Sequence, residues 1–395
     1  MSFRKYQKVL SIPRVLPATL FMFVAGIPLT VMTLTLSLHV LNDMGRSYFD
    51  AGLVGTATAL GFAVGSPMLG RMIDRHGLRP VIAVSGVLST IAWCLLPVVN
   101  YPLFVTFAFL AGVSTVPTGS LARQFVASLV PLDQRRPAYT LNMMLTELSF
   151  VISPAVAILL ITTYSASAIL VGIGVWRALA YIALYALNWP TRSADEMTKD
   201  PDPVRPSIRT WMTPQLLGVL LVSAGALFVV FGTELALIAV LRTNGEVAFT
   251  GYVIAAMAMA SICGGFVHGA VHSSWSQLRL ALTMSLLLLP VVFFDGVWWW
   301  LMLALLPNNL LCTPTLAAGS EAVAKLAPAN VRGEVMGLHD SANRLGQTLS
   351  TPLVGLAIDH LSPAMGFVAA GCGGLVLVGM AALCNLWISR TAKRV

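Results

Sequence analysis

Apolar stretches of about 20 residues, each able to cross roughly 30 Å of hydrocarbon, recur along nearly the whole of this chain. Backbone placed in hydrocarbon must satisfy its own hydrogen bonds, so runs of that kind fold as helices packed into a bundle. With 57% hydrophobic and 10% charged residues, 395 residues have too little polar surface to cover a particle in water. The first run, Pro17 to Val40, follows Arg4, Lys5, Lys8 and Arg14 in the manner of a secretory leader, but it is too long for one and no small-residue cleavage site follows. It reads as the first spanning helix.

Proline, glycine and charge divide the chain into helices over 15–41, 51–71, 80–98, 102–128, 138–162 and 167–189, then 213–241, 249–271, 279–294, 298–324, 333–357 and 363–388. The fold class expected is an all-α membrane protein of twelve transmembrane helices in two pseudo-symmetric six-helix bundles. The bundles fall at 1–190 and 211–395, joined over 191–210 by a linker whose proline and charge, in TRSADEMTKDPDPVRPSIR, cannot bury an apolar face. A weak internal repeat supports duplication: Pro154 matches Pro352 at an offset of 198, and Gly65 and Gly70 match Gly264 and Gly269 at 199. Of the 24 Lys and Arg, 19 lie at the two termini and in loops on one side, and only Arg46 and Arg242 lie on the other. Because basic residues favour cytoplasmic loops, both termini are expected in the cytoplasm, in a plasma membrane. The net charge of +8 is thereby a topology signal and needs no nucleic acid. The five cysteines have neither CxxC spacing nor neighbouring histidine clusters, so no metal or other cofactor is expected.

The turn after the second helix reads GRMIDRHGLRP, Gly70 to Pro80, with Asp74 among Arg71, Arg75 and Arg79. This resembles the loop between helices two and three of the major facilitator superfamily, and the span count and cytoplasmic termini fit the resemblance. It implies secondary transport by alternating access, with Asp74 engaging the start of helix eleven near Arg332 and so holding the halves together at the cytoplasmic side. The departures are two. In helix five FVISPAVAILL keeps only the Ser153-Pro154 core of the family's proton-antiporter signature, and Ala108 stands where many drug exporters carry an arginine in helix four. ARQFVASLVP, LTELSFVISP, GTELAL and APANVRGEVMG look most like actinobacterial drug and metabolite exporters of the twelve-helix type.

Charge inside a bilayer costs about 2.5–3.5 kcal/mol per residue, so each such residue needs a partner, a cavity or a task. At the repeat offset Arg123 maps onto Glu321, and Glu147 maps next to Arg344, with the sign reversed between halves. The expectation is a cytoplasmic gate of Asp74, Arg75, Arg79, Arg123, Glu147, Glu321, Arg332 and Arg344, in which Arg123 faces Glu321. Separate pairs within each half are the alternative. Proton coupling needs a carboxylate that meets water from alternate sides; the candidates are Glu234, then Glu147, then Asp340, the last paired with Arg344 one turn on. Arg177, in the middle of helix six, either faces the bundle or meets an anionic group. His268 and His339 read as hydrogen-bonded packing residues.

In the family, substrate binds near the midplane, on helices one, four, seven and ten. The resemblance therefore points to Met22, Pro28, Met32, Phe228, Phe231, Glu234, Asn308 and Asn309, an adaptable, mostly apolar wall. The function expected is proton-coupled efflux of a small amphipathic or lipophilic molecule by a monomer in the lipid bilayer. Uptake of a small metabolite, or a sensor without flux, are the rivals. An enzyme is not expected, since no GxSxG, HExxH, phosphate loop or paired-carboxylate site occurs in a suitable context.

Overall fold

The computed structural model describes residues 3–131, 134–191, 206–271 and 275–392, so most of the linker expected over 191–210 lies outside the described residues. Among the described residues, twelve helical spans follow one another. Span 1 comprises Val15–Gly26, Pro28–Leu38 and a π turn at His39–Asp43; spans 2 and 3 are Tyr48–His76 and Leu78–Val98. Span 4 is Tyr101–Leu129, span 5 Arg135–Thr163 and span 6 Ala166–Leu187. Spans 7 to 12 are Pro214–Thr243, Thr250–Ala270, Gln277–Phe294, Trp298–Leu326, Arg332–His360 and Met365–Ala392. Nine apolar helices among the described residues are long enough to cross a bilayer. Span 1 is interrupted at Pro28, and span 11 carries Arg332, Glu334, Asp340 and Arg344. Large apolar side chains such as Leu60, Val64, Val87 and Leu88 are exposed on the outside, as lipid requires, with Trp299 and Trp300 exposed at one end of span 10.

Local chemistry sets the breaks. Span 2 turns into span 3 at Gly77, whose φ of +81° an L side chain rarely adopts. Gly70, expected to serve the same turn, lies within the helix and has another task. Span 4 is split into Tyr101–Val113 and Thr118–Leu129, because Pro117 has no N–H to offer the ladder and disfavours helix at Val116.

Spans 1 to 6 and 7 to 12 form two bundles, each with its own apolar clusters. The repeat is visible in three dimensions. A Cβ at Gly65 would lie 2.2 Å from the Val113 carbonyl oxygen of span 4, and one at Gly264 would lie 1.7 Å from that of Leu310 in span 10. Between bundles, span 2 packs on span 11 as span 5 packs on span 8, and span 4 on span 11 as span 10 on span 5. A shared cluster including Val9, Val126, Tyr139, Trp211, Val323, Val335 and Met336 joins the bundles at the end that carries the 70–80 loop, called here the basic end.

Candidate functional site

At the basic end Asp74 reaches from the end of span 2 to the first turn of span 11. Its Oδ1 accepts from the Gly333 N–H and its Oδ2 from the Glu334 N–H, each at 2.9 Å. The first N–H groups of a helix have no partner within it and carry partial positive charge, so a carboxylate from outside is a favourable cap. The approach needs glycine on both sides, since a Cβ at Gly70 would lie 2.1 Å from Gly333 O. Arg332 is buried at the start of span 11, while Arg75 is exposed, and Arg79 donates from Nε to Tyr185 O at 3.1 Å. Arg79 thus ties the loop to span 6 within its own bundle.

A second cap runs the opposite way. The break in span 4 creates a new helix N-terminus at Thr118, inside the bundle, and Asp340 of span 11 accepts there from Ser120 N–H at 3.0 Å. The same carboxylate takes the guanidinium of Arg123, which is 3% exposed. Each bundle thus supplies one carboxylate that caps a helix of the other. Near them, Ser341 Oγ donates to Ala63 O at 2.6 Å, and Arg136 Nε donates to Glu321 Oε2 at 3.0 Å.

These partners differ from the expected ones. Arg123 pairs with Asp340 rather than Glu321; Glu321 pairs with Arg136 and Lys325; and Asp340, in electrostatic reach of Arg344, gives its salt bridge to Arg123 instead. The cause is one residue of register. Spans 4 and 10 begin at Tyr101 and Trp298, and spans 5 and 11 at Arg135 and Arg332, an offset of 197 rather than 198. One residue turns a helix by about 100°, so Gln124, not Arg123, occupies the position equivalent to Glu321. The same offset makes Glu147 the counterpart of Arg344, each the thirteenth residue of a 29-residue helix. Both therefore sit about 18 Å above the start of their helices, too far from the basic end to belong to its closure.

Around the middle, Glu147 accepts a hydrogen bond from Cys312 Sγ of span 10 at 3.4 Å and lies within electrostatic reach of Glu234 on span 7. Glu234 is half-buried and has no hydrogen-bond partner among the described residues. Met32 lines a cavity of about 50 Å³ with Leu36, Thr58, Phe62, Thr115 and Arg344. Other expected wall residues lie elsewhere. Met22 packs into a cluster with Ile73 and Leu121, and Pro28 is buried at a helix start. Phe228 lies against Gly373 of span 12, Asn308 donates to Met284 O of span 9 at 2.7 Å, and Asn309 donates to Leu305 O at 3.0 Å. Phe231 is half-buried on span 7. Residue type alone does not say which side of a helix buried on all faces meets a cavity.

Arg177 faces the bundle. It donates to Ser89 Oγ at 3.2 Å and to Thr115 Oγ1 and Tyr181 OH at 2.8 Å, and Tyr181 OH in turn accepts from Val116 N–H at 3.2 Å. It thereby mends the backbone left open by the break in span 4. That network, Ser120 and Arg136 are not apparent from the sequence pattern, although Pro117 followed by Thr-Gly-Ser is a helix-start signal.

Residues 18–294 match the family described as the Major Facilitator Superfamily. No curated protein sequence matches the chain. In structure it is similar to the human organic anion transporter TETRAN, with a TM-score of 0.69 and 15% identity over 95% of this chain and 99% of that one. It is also similar to the proton:xylose symporter XylE (0.67, 14% identity, 92% and 94%). The E. coli fucose:proton symporter FucP gives 0.61 at 14% identity, over 95% and 99%. At these identities the likeness concerns the fold.

Proposed function

Because this chain belongs to the major facilitator superfamily and is a multi-pass secondary transporter, we propose that it exports a small amphipathic or lipophilic molecule in exchange for protons. The observation that carries the alternating-access part is the pair of reciprocal caps. Asp74 and Asp340 join the bundles in the basic half of the molecule, where opening requires that two carboxylates leave two helix ends and that the apolar cluster shared by the bundles separates. With the basic end in the cytoplasm, as the arrangement of Lys and Arg favours, this is an inward gate in its closed form. In this reading the stretch over 191–210, rich in proline and charge, joins two bundles that must rock against each other. The proton carriers in this reading are Glu234 and Glu147, carboxylates in the middle of the membrane that have no cationic partner among the described residues. Export rather than uptake rests on the sequence resemblance to exporters.

The test is flux in proteoliposomes with an imposed pH gradient, using fluorescent amphipathic dyes of positive, negative and neutral charge. Movement of a dye against the proton flow, lost in Glu234→Gln, is the result expected. Movement with the proton flow replaces export by uptake. A Glu234→Gln protein with unchanged dependence on the gradient removes Glu234 as a carrier, and no protein-dependent movement of any dye overturns the reading.

A further inference from the structure

We propose that Arg344 is the anchor for the anionic head of the substrate, a carboxylate or an anion of similar size on an otherwise apolar molecule. The inference rests on the transporter reading above and names its substrate class. Arg344 lies twelve residues into span 11 and its guanidinium is 4.8 Å from the centre of the Phe62 ring, across the boundary between bundles. Two other cations buried deep within the spans are matched, Arg123 by Asp340 and Arg177 by three hydroxyl groups. Arg344 has no carboxylate within salt-bridge distance among the described residues. Of its five N–H donors, one is directed to Gln347 Oε1 at 3.2 Å.

The cavity it enters fits such a head. About 50 Å³ holds a few waters or a compact anionic group, and Met32, Leu36 and Phe62 continue it as apolar wall. Thr58 and Thr115 direct their hydroxyl protons to Val54 O and Ala111 O, at 2.9 and 2.6 Å, and so offer the cavity acceptors alone. The donors facing the space are those of Arg344. Arg177, whose Nη2 is 2.8 Å from Thr115 Oγ1, adds a second positive charge behind the same wall. Asp340 lies within electrostatic reach of Arg344 but is bonded to Arg123, so one carboxylate faces more than one cation. An anion matches the remaining potential, and a planar guanidinium grips a carboxylate with two parallel bonds.

Binding is read without flux, by thermal stabilisation of the purified full-length protein, with benzoate, salicylate and phenylacetate as probes and their uncharged amides and sodium chloride as controls. The expected result is saturable stabilisation by at least one carboxylate, at least tenfold weaker or absent with its amide, and abolished in Arg344→Gln. Equal stabilisation by acid and amide, stabilisation unchanged in a folded Arg344→Gln protein, or no stabilisation by any of the acids overturns the proposal. If Arg344→Gln does not fold, Arg344→Lys keeps the charge but loses the paired geometry. A weaker half-saturating concentration then supports the proposal and an unchanged one overturns it. Binding without flux would fail the transporter reading alone, and transport of neutral or cationic dyes with no carboxylate binding would fail this one alone.

Discussion

Asp340 serves two groups with one carboxylate, the N–H of Ser120 and the guanidinium of Arg123. Asp340→Asn keeps an oxygen for Ser120 but leaves Arg123 buried without a counter-ion, a loss of about 3–5 kcal/mol. The expected outcome is a large fall in melting temperature in detergent, partly recovered by adding Arg123→Gln, since then neither charge is stranded. Exchanging the two residues, Arg123→Asp with Asp340→Arg, recovers less, because the cation then faces a helix N-terminus of the same sign. Arg136 and Glu321 give the contrast. Their side chains are 24% and 15% exposed and Lys325 remains beside Glu321, so Arg136→Ala costs about 1 kcal/mol or less. Equal falls in melting temperature for Asp340→Asn and Arg136→Ala contradict this ranking.

Spans 2 and 11 approach closely because small residues line their seam. A Cβ at Gly337 would lie 2.4 Å from Ser66 O, and one at Gly70 2.1 Å from Gly333 O. Gly70→Leu cannot be absorbed by a side-chain movement, because the atoms in its way are backbone, so it should wedge the basic end open. Gly52→Ala, in the same helix but with nothing within 4 Å of the new Cβ, should leave stability unchanged or slightly raised. Labelling by a membrane-impermeant thiol reagent of a cysteine at Ser66, in a cysteine-free background, separates the two: accessible with Gly70→Leu, protected with Gly52→Ala. How much of this the sequence shows follows from the same elements. Span lengths were legible because hydropathy sums over about 20 residues, and Asp74 because a family motif marks it. The ion pairs were not, since a shift of one residue in the repeat redirects a helical side chain by about 100°. The cap by Asp340 was hidden too, because it exists only through the break at Pro117, which joins residues 220 apart in the chain.

Closure of the whole molecule at the basic end rests on a few contacts acting on one equilibrium, so their effects should combine as free energies. Tyr6, in the short helix Phe3–Leu10, belongs to the first bundle but stacks on Phe266 of span 8 with ring centres 5.1 Å apart and donates to Phe266 O at 3.1 Å. Burial pushes its pKa from 10.0 up to about 12. A raised folded-state pKa means that this contribution is fully present below pH 10 and is lost only as pH rises through about 12. Tyr6→Phe, which keeps the stack and loses the hydrogen bond, should therefore favour opening by about 1 kcal/mol, equally at pH 6 and pH 9. Each carboxylate cap carries more. Asp74→Asn and Asp340→Asn each remove charge-assisted bonds of about 1.5–3 kcal/mol, a shift of roughly 10- to 150-fold in the closed-to-open ratio. The readout is the distance distribution between spin labels at His76 and Val271, exposed positions on opposite bundles at the basic end. Either single variant should add a longer-distance population, and the double variant should give a shift near the product of the two until opening is complete. A double variant no more open than the singles indicates that the caps act as one contact. Single variants that stay closed show that the apolar cluster around Val335 and Met336 holds the end without them.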